Sequence, residues 1–228
     1  MKSSPSSIVI PHHDFLKKVN HPAAVVSMNS PLESRTNLFF KRSFDLYFST
    51  FAIIFLLSWL IPLMALLIRL DSKGPVFFTQ KRAKRAGRLF TCIKFRTMIQ
   101  NDEANTLAAY LNDQRVTKFG KFLRLRHLDE LPQLLNVWWG DMSLIGPRPH
   151  MESDDKRFES MMEQYSFRYR VKPGITGLAQ VMGYVGPVVD TENLRERIKQ
   201  DIYYVHYWSA LLDIKIAGLT VFKMLGIK

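Results

Sequence analysis

The sequence holds one cysteine, Cys92, in 228 residues. A single thiol excludes a disulfide framework and a cysteine-ligated zinc centre, and it suits a reducing compartment. The six histidines are scattered, and no HExxH or similar metal spacing occurs. There is no GxGxxG loop, no Walker loop, no internal repeat and no low-complexity tract. Acidic residues are scarce at the front: residues 1–100 carry 4 Asp and Glu against 15 Lys and Arg, and residues 101–228 carry 16 against 17. A near-neutral region therefore follows a basic front that attracts anions. At 47% hydrophobic and 23% charged, the chain is neither a disordered tail nor a bundle wholly embedded in a bilayer.

What is present begins with a leader. Residues 1–37 are rich in Ser, Pro, Asn and His, without periodicity or the apolar core of a secretory signal. They read as flexible. Residues 46–68 then run without a charged side chain. At about 1.5 Å per residue, such a helix is long enough for a hydrocarbon core of about 30 Å. A buried core helix is the alternative. Arg35, Lys41 and Arg42 precede the run, and Arg69, Lys73, Lys81 and Arg82 follow it. Basic flanks favour the cytoplasm, and both flanks are basic. Pro62 lies inside the run and breaks the helical ladder, while the Ser58 hydroxyl is placed to bond a freed backbone group. The reading is a helix over 38–72 that enters and leaves by one face.

The apolar runs 76–80 and 89–95 flank Lys81, Arg82, Lys84, Arg85, Gly87 and Arg88. That pattern reads as a β-hairpin with a basic turn, suited to anionic headgroups. Residues 101–128 read as helical, 131–139 as a short apolar helix with Pro132 in its first turn, and 140–149 as a loop. Residues 152–170 and 190–207 read as helices around a Gly-rich irregular stretch at 173–186. The tail 208–228 is amphipathic, suited to core packing or to an interfacial helix.

Asp129 and Glu130 stand together at the start of the Pro132 helix, with Arg124 and Arg126 upstream. A helix N-terminus favours carboxylates and also receives phosphate. The bland alternative is a capping pair bonded to Arg126. Arg148, between Pro147 and Pro149, is a fixed guanidinium suited to bidentate phosphate binding. His127 is near enough in sequence to serve as a base. Lys94 and Arg96 alternate with Ile93 and Phe95, which puts both cations on one strand face for a phosphate-rich ligand.

KRSFD, the proline-containing apolar run, GPVFFTQ, KFRTM, LDELPQLLNV, GDMSLIGPRP, KPGITGLAQV and the tail D-x-Y-Y-x-x-x-W-S-x-x-x-D-x-K-I occur in this order. Together they resemble the bacterial sugar transferase family, the monotopic polyprenyl-phosphate phosphoglycosyl transferases. The likeness covers about residues 38–225, and LDELPQ followed by GDMSLxGPRP is highly specific. It implies a mostly α, α+β monotopic membrane protein with a Pro-broken re-entrant helix, a small hairpin and amphipathic interfacial helices. Its catalytic domain, 73–228, would lie on the cytoplasmic face of the bacterial inner membrane.

The implied reaction moves a hexose-1-phosphate from a UDP-sugar to undecaprenyl phosphate. It yields the undecaprenyl-diphosphate sugar and UMP, as the first step of exopolysaccharide, capsule or O-antigen synthesis. By this resemblance Asp129 is the nucleophile that carries the phosphosugar. Glu130, with Asp141, would hold Mg2+, while Arg124, Arg148, Lys94 and Arg96 would bind phosphate. The tail resembles glucose phosphotransferases most, while galactose or an N-acetylated hexosamine donor remains open, as does homo-oligomer formation. Tyr184 and Val185 stand where relatives usually carry an arginine. The chain lacks the N-terminal spans of the family's large members and reads as a catalytic module. Two rival classes are an inactive polybasic membrane scaffold and a nucleic-acid binder. The scaffold leaves the Asp-Glu and Pro-Arg-Pro motifs without a purpose, and no nucleic-acid motif is present.

Overall fold

In the computed structural model the described residues are Val25, 28–100, 113–188 and 190–226. The first element is one uninterrupted helical run, α1, Arg35–Asp71. A hairpin follows, with β1 at Phe77–Ala83 and β2 at Leu89–Phe95. Then come α2 (Lys118–Leu125), a 3-10 turn (Leu128–Glu130), α3 (Gln133–Trp139) and the short strand β3 (Ser143–Ile145). Next are α4 (Glu152–Met161), a 3-10 segment (Glu163–Arg170), β4 (Gly174–Thr176) and α5 (Leu178–Val181). Two helices finish the chain, α6 (Thr191–Tyr207) and α7 (Ala210–Met224).

Pro62 sits inside α1 and does not stop it. The ladder changes earlier, in a π turn over Ile53–Leu57. Proline lacks an N–H, and its ring crowds the carbonyl four residues back, here that of Ser58. The widened turn just before Ser58 accommodates that crowding. There the Ser58 amide reaches back five residues to Ile53, so it no longer serves Ile54. The Ser58 hydroxyl donates to the Ile54 carbonyl instead (2.6 Å), and the Trp59 indole N–H donates to Phe55 (2.9 Å). The Ser58 hydroxyl thus serves a carbonyl within the π turn rather than a group freed by Pro62.

α1 is not a buried core helix. Phe51, Ile54, Phe55, Trp59, Leu63 and Leu66 are each at least 43% exposed. Leu60, Met64 and Ile68 form the inward stripe, packing with Val76, Phe95 and Leu123. The principal core lies elsewhere, where α6 and α7 meet the 163–170 segment and α5. The end of the expected leader belongs to it: Val25, Met28 and Leu32 are buried there, and the Ser30 hydroxyl donates to the Val205 carbonyl. Apolar residues three or four apart fill that groove, so flexibility does not describe Val25, Met28 or Leu32.

Four other expectations change. β1 runs on through Lys81 and Arg82, so only Lys84–Arg88 remain for the turn. Of the helix expected over 101–128, the described residues from 113 on carry Lys118–Leu125, and 101–112 lie outside the described residues. The loop 140–149 and the irregular stretch 173–186 each contribute a strand, paired in parallel from Ser143 to Gly174 and from Ile145 to Thr176. Close approach explains the glycine: a Cβ on Gly174 would lie 2.1 Å from the Gly146 nitrogen. The 152–170 helix ends at Met161 and continues as 3-10.

Candidate active site

The chain reverses after α2 through His127, whose φ of 55° puts it in the left-handed region. The 3-10 turn that follows presents Asp129 and Glu130 in succession. β2 passes alongside, held to α3 by Asn136. Its amide donates to the Thr91 carbonyl (2.8 Å), and its side-chain oxygen accepts from the Ile93 amide (3.0 Å). Asn136 is 1% exposed. Replacing it with alanine strands those two backbone groups, so Asn136→Ala is expected to cost about 2 kcal/mol. Urea unfolding of the two proteins side by side checks this.

Glu130 is buried and fully engaged. The Lys94 ammonium donates to its Oε1 (2.7 Å), and the Arg148 guanidinium grips both oxygens, with Nη1 to Oε2 at 2.9 Å. Burial would raise its pKa, but Arg148 and Lys94 hold the carboxyl well below the usual range. Burial pushes the Lys94 ammonium down, and Glu130 opposes this.

Asp129 differs. It makes no hydrogen bond or ion pair among the described residues, and it is half-buried. Burial raises its pKa; Lys94, Arg124 and Arg148 work against that, while Glu130 adds to it. The site thus holds one clamped carboxylate and one uncommitted carboxylate, ringed by cations. An uncommitted carboxylate is free to act as a nucleophile or a metal ligand, and the cations suit a diphosphate.

Of the expected site residues, the fold brings Asp129, Glu130, Lys94 and Arg148 together, with Arg124 beside them. The Arg124 Nε donates to the Thr97 hydroxyl (2.8 Å). Arg96 is elsewhere: it follows the end of β2, outside the alternation, and donates to the carbonyls of Ser72 and Lys73 at the end of α1. Asp141 pairs with Lys84 at 2.6 Å. Glu130 and Asp141 therefore do not form a free magnesium pair, since each is neutralised by a cation. Among the described residues no three Asp, Glu, His or Cys side chains converge on a metal. The free carboxylate is Asp129, and magnesium suits one carboxylate shared with substrate phosphates and waters. His127 is exposed and makes no contact that assigns it a role.

The sequence did not reveal the support behind Arg148. Arg168, buried, donates to the Arg148 carbonyl and pairs with Asp201 at 3.0 Å. Burial pushes the Asp201 carboxyl up to about 6, against Arg168 and Arg197. Arg82 donates from β1 to the Pro149 carbonyl. The carbonyls of Arg148 and Pro149 are thus tied down by a buried and a half-buried arginine, signalled in the sequence only by strand alternation at Arg82. Where Tyr184 and Val185 replace an expected arginine, Arg197 arrives from α6 and donates to the Val185 carbonyl (3.1 Å).

The family model for bacterial sugar transferases matches residues 36–226. A Klebsiella pneumoniae protein named UDP-glucose:undecaprenyl-phosphate glucose-1-phosphate transferase is 43% identical over 209 residues, covering 91% of this chain and 44% of that protein. An Aeromonas hydrophila protein is 41% identical over 195 residues, covering 85% of this chain and 45% of its own length. Its name is UDP-N-acetylgalactosamine-undecaprenyl-phosphate N-acetylgalactosaminephosphotransferase. The exopolysaccharide production protein PSS of Rhizobium leguminosarum is 40% identical over 190 residues, covering 81% of this chain and 94% of its own. The chain thus spans less than half of the first two relatives and nearly all of the third. On the extent of the family match and these identities, the chain belongs to the bacterial sugar transferase family.

Proposed function

We propose that this protein transfers a hexose-1-phosphate from a UDP-sugar, UDP-glucose first, to undecaprenyl phosphate, releasing UMP. The observation that carries this reading is the contrast between the two adjacent carboxylates. Asp129 is uncommitted, whereas Glu130 is spent on fixing Lys94 and Arg148 around it.

Asp129 attacks the sugar-bearing phosphorus; an Asp–O–P bond forms, the bridging P–O bond breaks, and UMP leaves with the electron pair. An oxygen of undecaprenyl phosphate then attacks the same phosphorus and frees the Asp129 carboxylate. Two successive displacements let a water-soluble donor and a lipid acceptor use one site in turn. The opposing negative charges need neutralising, and Arg148, Lys94 and Arg124 supply cations around Asp129. Asp129, with substrate phosphate oxygens and waters, would hold a magnesium ion before attack, and the ion would supply further charge neutralisation. The exposed apolar face of α1 supports residence in a membrane, with the basic hairpin at the headgroups. The basic flanks on both ends of α1 support a re-entrant path and the cytoplasmic face of the bacterial inner membrane. The product would open exopolysaccharide, capsule or O-antigen synthesis.

The name of the Aeromonas relative favours a second donor, an N-acetylated hexosamine. One experiment tests both: UMP release from a panel of UDP-sugars, in nanodiscs with magnesium, with and without undecaprenyl phosphate. Lipid-dependent UMP from UDP-glucose is expected. Release from a UDP-N-acetylhexosamine alone would move the donor, and no release from a folded sample would reject the transferase reading.

A further inference from the structure

At the far end of α3 from Asp129, about 10 Å of helix away, a second group of cations faces a common space. α3 ends at Gly140, with a φ of 95° and no side chain. A Cβ built there would lie 3.4 Å from the Lys172 Nζ and 3.5 Å from the Arg42 Nη2. Arg85, from the hairpin turn, lines the same cavity as Arg42 and Lys172. Arg42 donates to the carbonyls of Val137 and Trp138, both at 2.6 Å. Lys172 and Arg85 make no hydrogen bond or ion pair among the described residues.

The neighbouring acids are committed elsewhere. Asp45 accepts from the Ser143 hydroxyl and the Leu144 amide, Asp213 pairs with Lys41, and Asp141 pairs with Lys84. Three cations therefore converge on this space, against one carboxylate that lines it without a cationic hydrogen-bond partner, Asp45. Such convergence is costly unless an anion enters. Burial lowers the Lys172 pKa, Arg42 and Arg85 lower it further, and Asp45 and Asp141 work against them.

Beside this space Trp138 and Trp139 are 46% and 57% exposed, and Phe39, Phe40 and Tyr47 project from the same helix as Arg42. Exposed Trp and Tyr beside cations match a bilayer interface. We propose that Lys172, Arg85 and Arg42 form a seat for a phosphate oxyanion carried on a lipid headgroup, separate from the transfer site. The lipid as carrier rests on the membrane reading above.

The test uses the full chain in detergent micelles and the double variant Lys172→Gln/Arg85→Gln. Melting temperature is followed against dihexanoyl-phosphatidylglycerol and, separately, inorganic phosphate. The wild type is expected to melt higher with the lipid, with at least ten times more lipid needed for the same shift in the variant. Without ligand the variant should melt no lower than wild type, because like-charge crowding is relieved; a purely structural role for these side chains would lower it. An equal lipid response in both proteins, or a lower ligand-free melting temperature in the variant, overturns the seat. A response to inorganic phosphate as strong as to the lipid overturns the lipid as carrier. A chain that stays dispersed without detergent overturns the membrane reading and the carrier together. Neither result depends on UMP release, so loss of the transferase reading would be seen separately.

Discussion

Asp129→Asn is expected to reduce UMP release by roughly four orders of magnitude or more, the scale of losing a nucleophile. The fold should not suffer. Asp129 has no hydrogen bond or ion pair among the described residues to lose, and its ionised form is disfavoured by burial. The neutral amide removes that penalty, so the variant should melt at or above the wild-type temperature, a trade seen where a reactive group is held for function. Wild type incubated with a donor labelled in the sugar, without lipid acceptor, should retain label on the protein; Asp129→Asn should not. Labelling of the variant would remove Asp129 from the nucleophile role.

The same residue sets a pH dependence. A carboxylate attacks only when ionised, and the Asp129 pKa is raised, by burial first. Activity is therefore lost as pH falls through a value above the ordinary aspartate value of 3.8. Arg124 opposes the rise, so Arg124→Gln should move this acid limb to higher pH still. The pH profile of UMP release checks the direction, and a limb moving down would contradict the assigned electrostatics.

The adjacency of Asp129 and Glu130, the rigid Arg148, the Lys94 strand and the apolar length of α1 were all legible, because each is local in sequence. What the carboxylates do was not. Glu130 is paired by a strand 36 residues earlier and a loop 18 residues later, and only the fold brings those cations to it. The KRSFD motif was equally opaque. Its Lys41 binds Asp213, 172 residues on, and its Asp45 holds the start of β3, so the motif locks α1 to α7 and to the strand before the Pro-Arg-Pro loop. Arg96 was misread because alternation was carried one residue past the strand end. Arg168 and Arg197 looked like surface charges on polar helices, and periodicity does not say which arginines are buried against a carboxylate.

Glu130→Gln is the second large effect expected. Glu130 neutralises two cations at once, Lys94 with its side chain 15% exposed and Arg148 at 33%. Removing the charge leaves both uncompensated, and breaking such an arrangement costs about 3 kcal/mol. The melting temperature should drop, and the Lys94 pKa, already lowered by burial, should fall further once Glu130 no longer opposes it. Turnover should fall because Lys94 and Arg148 lose their fixed positions around Asp129. The magnesium concentration for half-maximal activity should stay close to wild type, since neither Glu130 oxygen is free for a metal. A variant with wild-type stability and a magnesium requirement raised ten-fold or more would make Glu130 a metal ligand instead. Stability and magnesium dependence are thus expected to separate, because the glutamate's two oxygens are engaged by nitrogen donors and its charge fixes the cations that face the substrate.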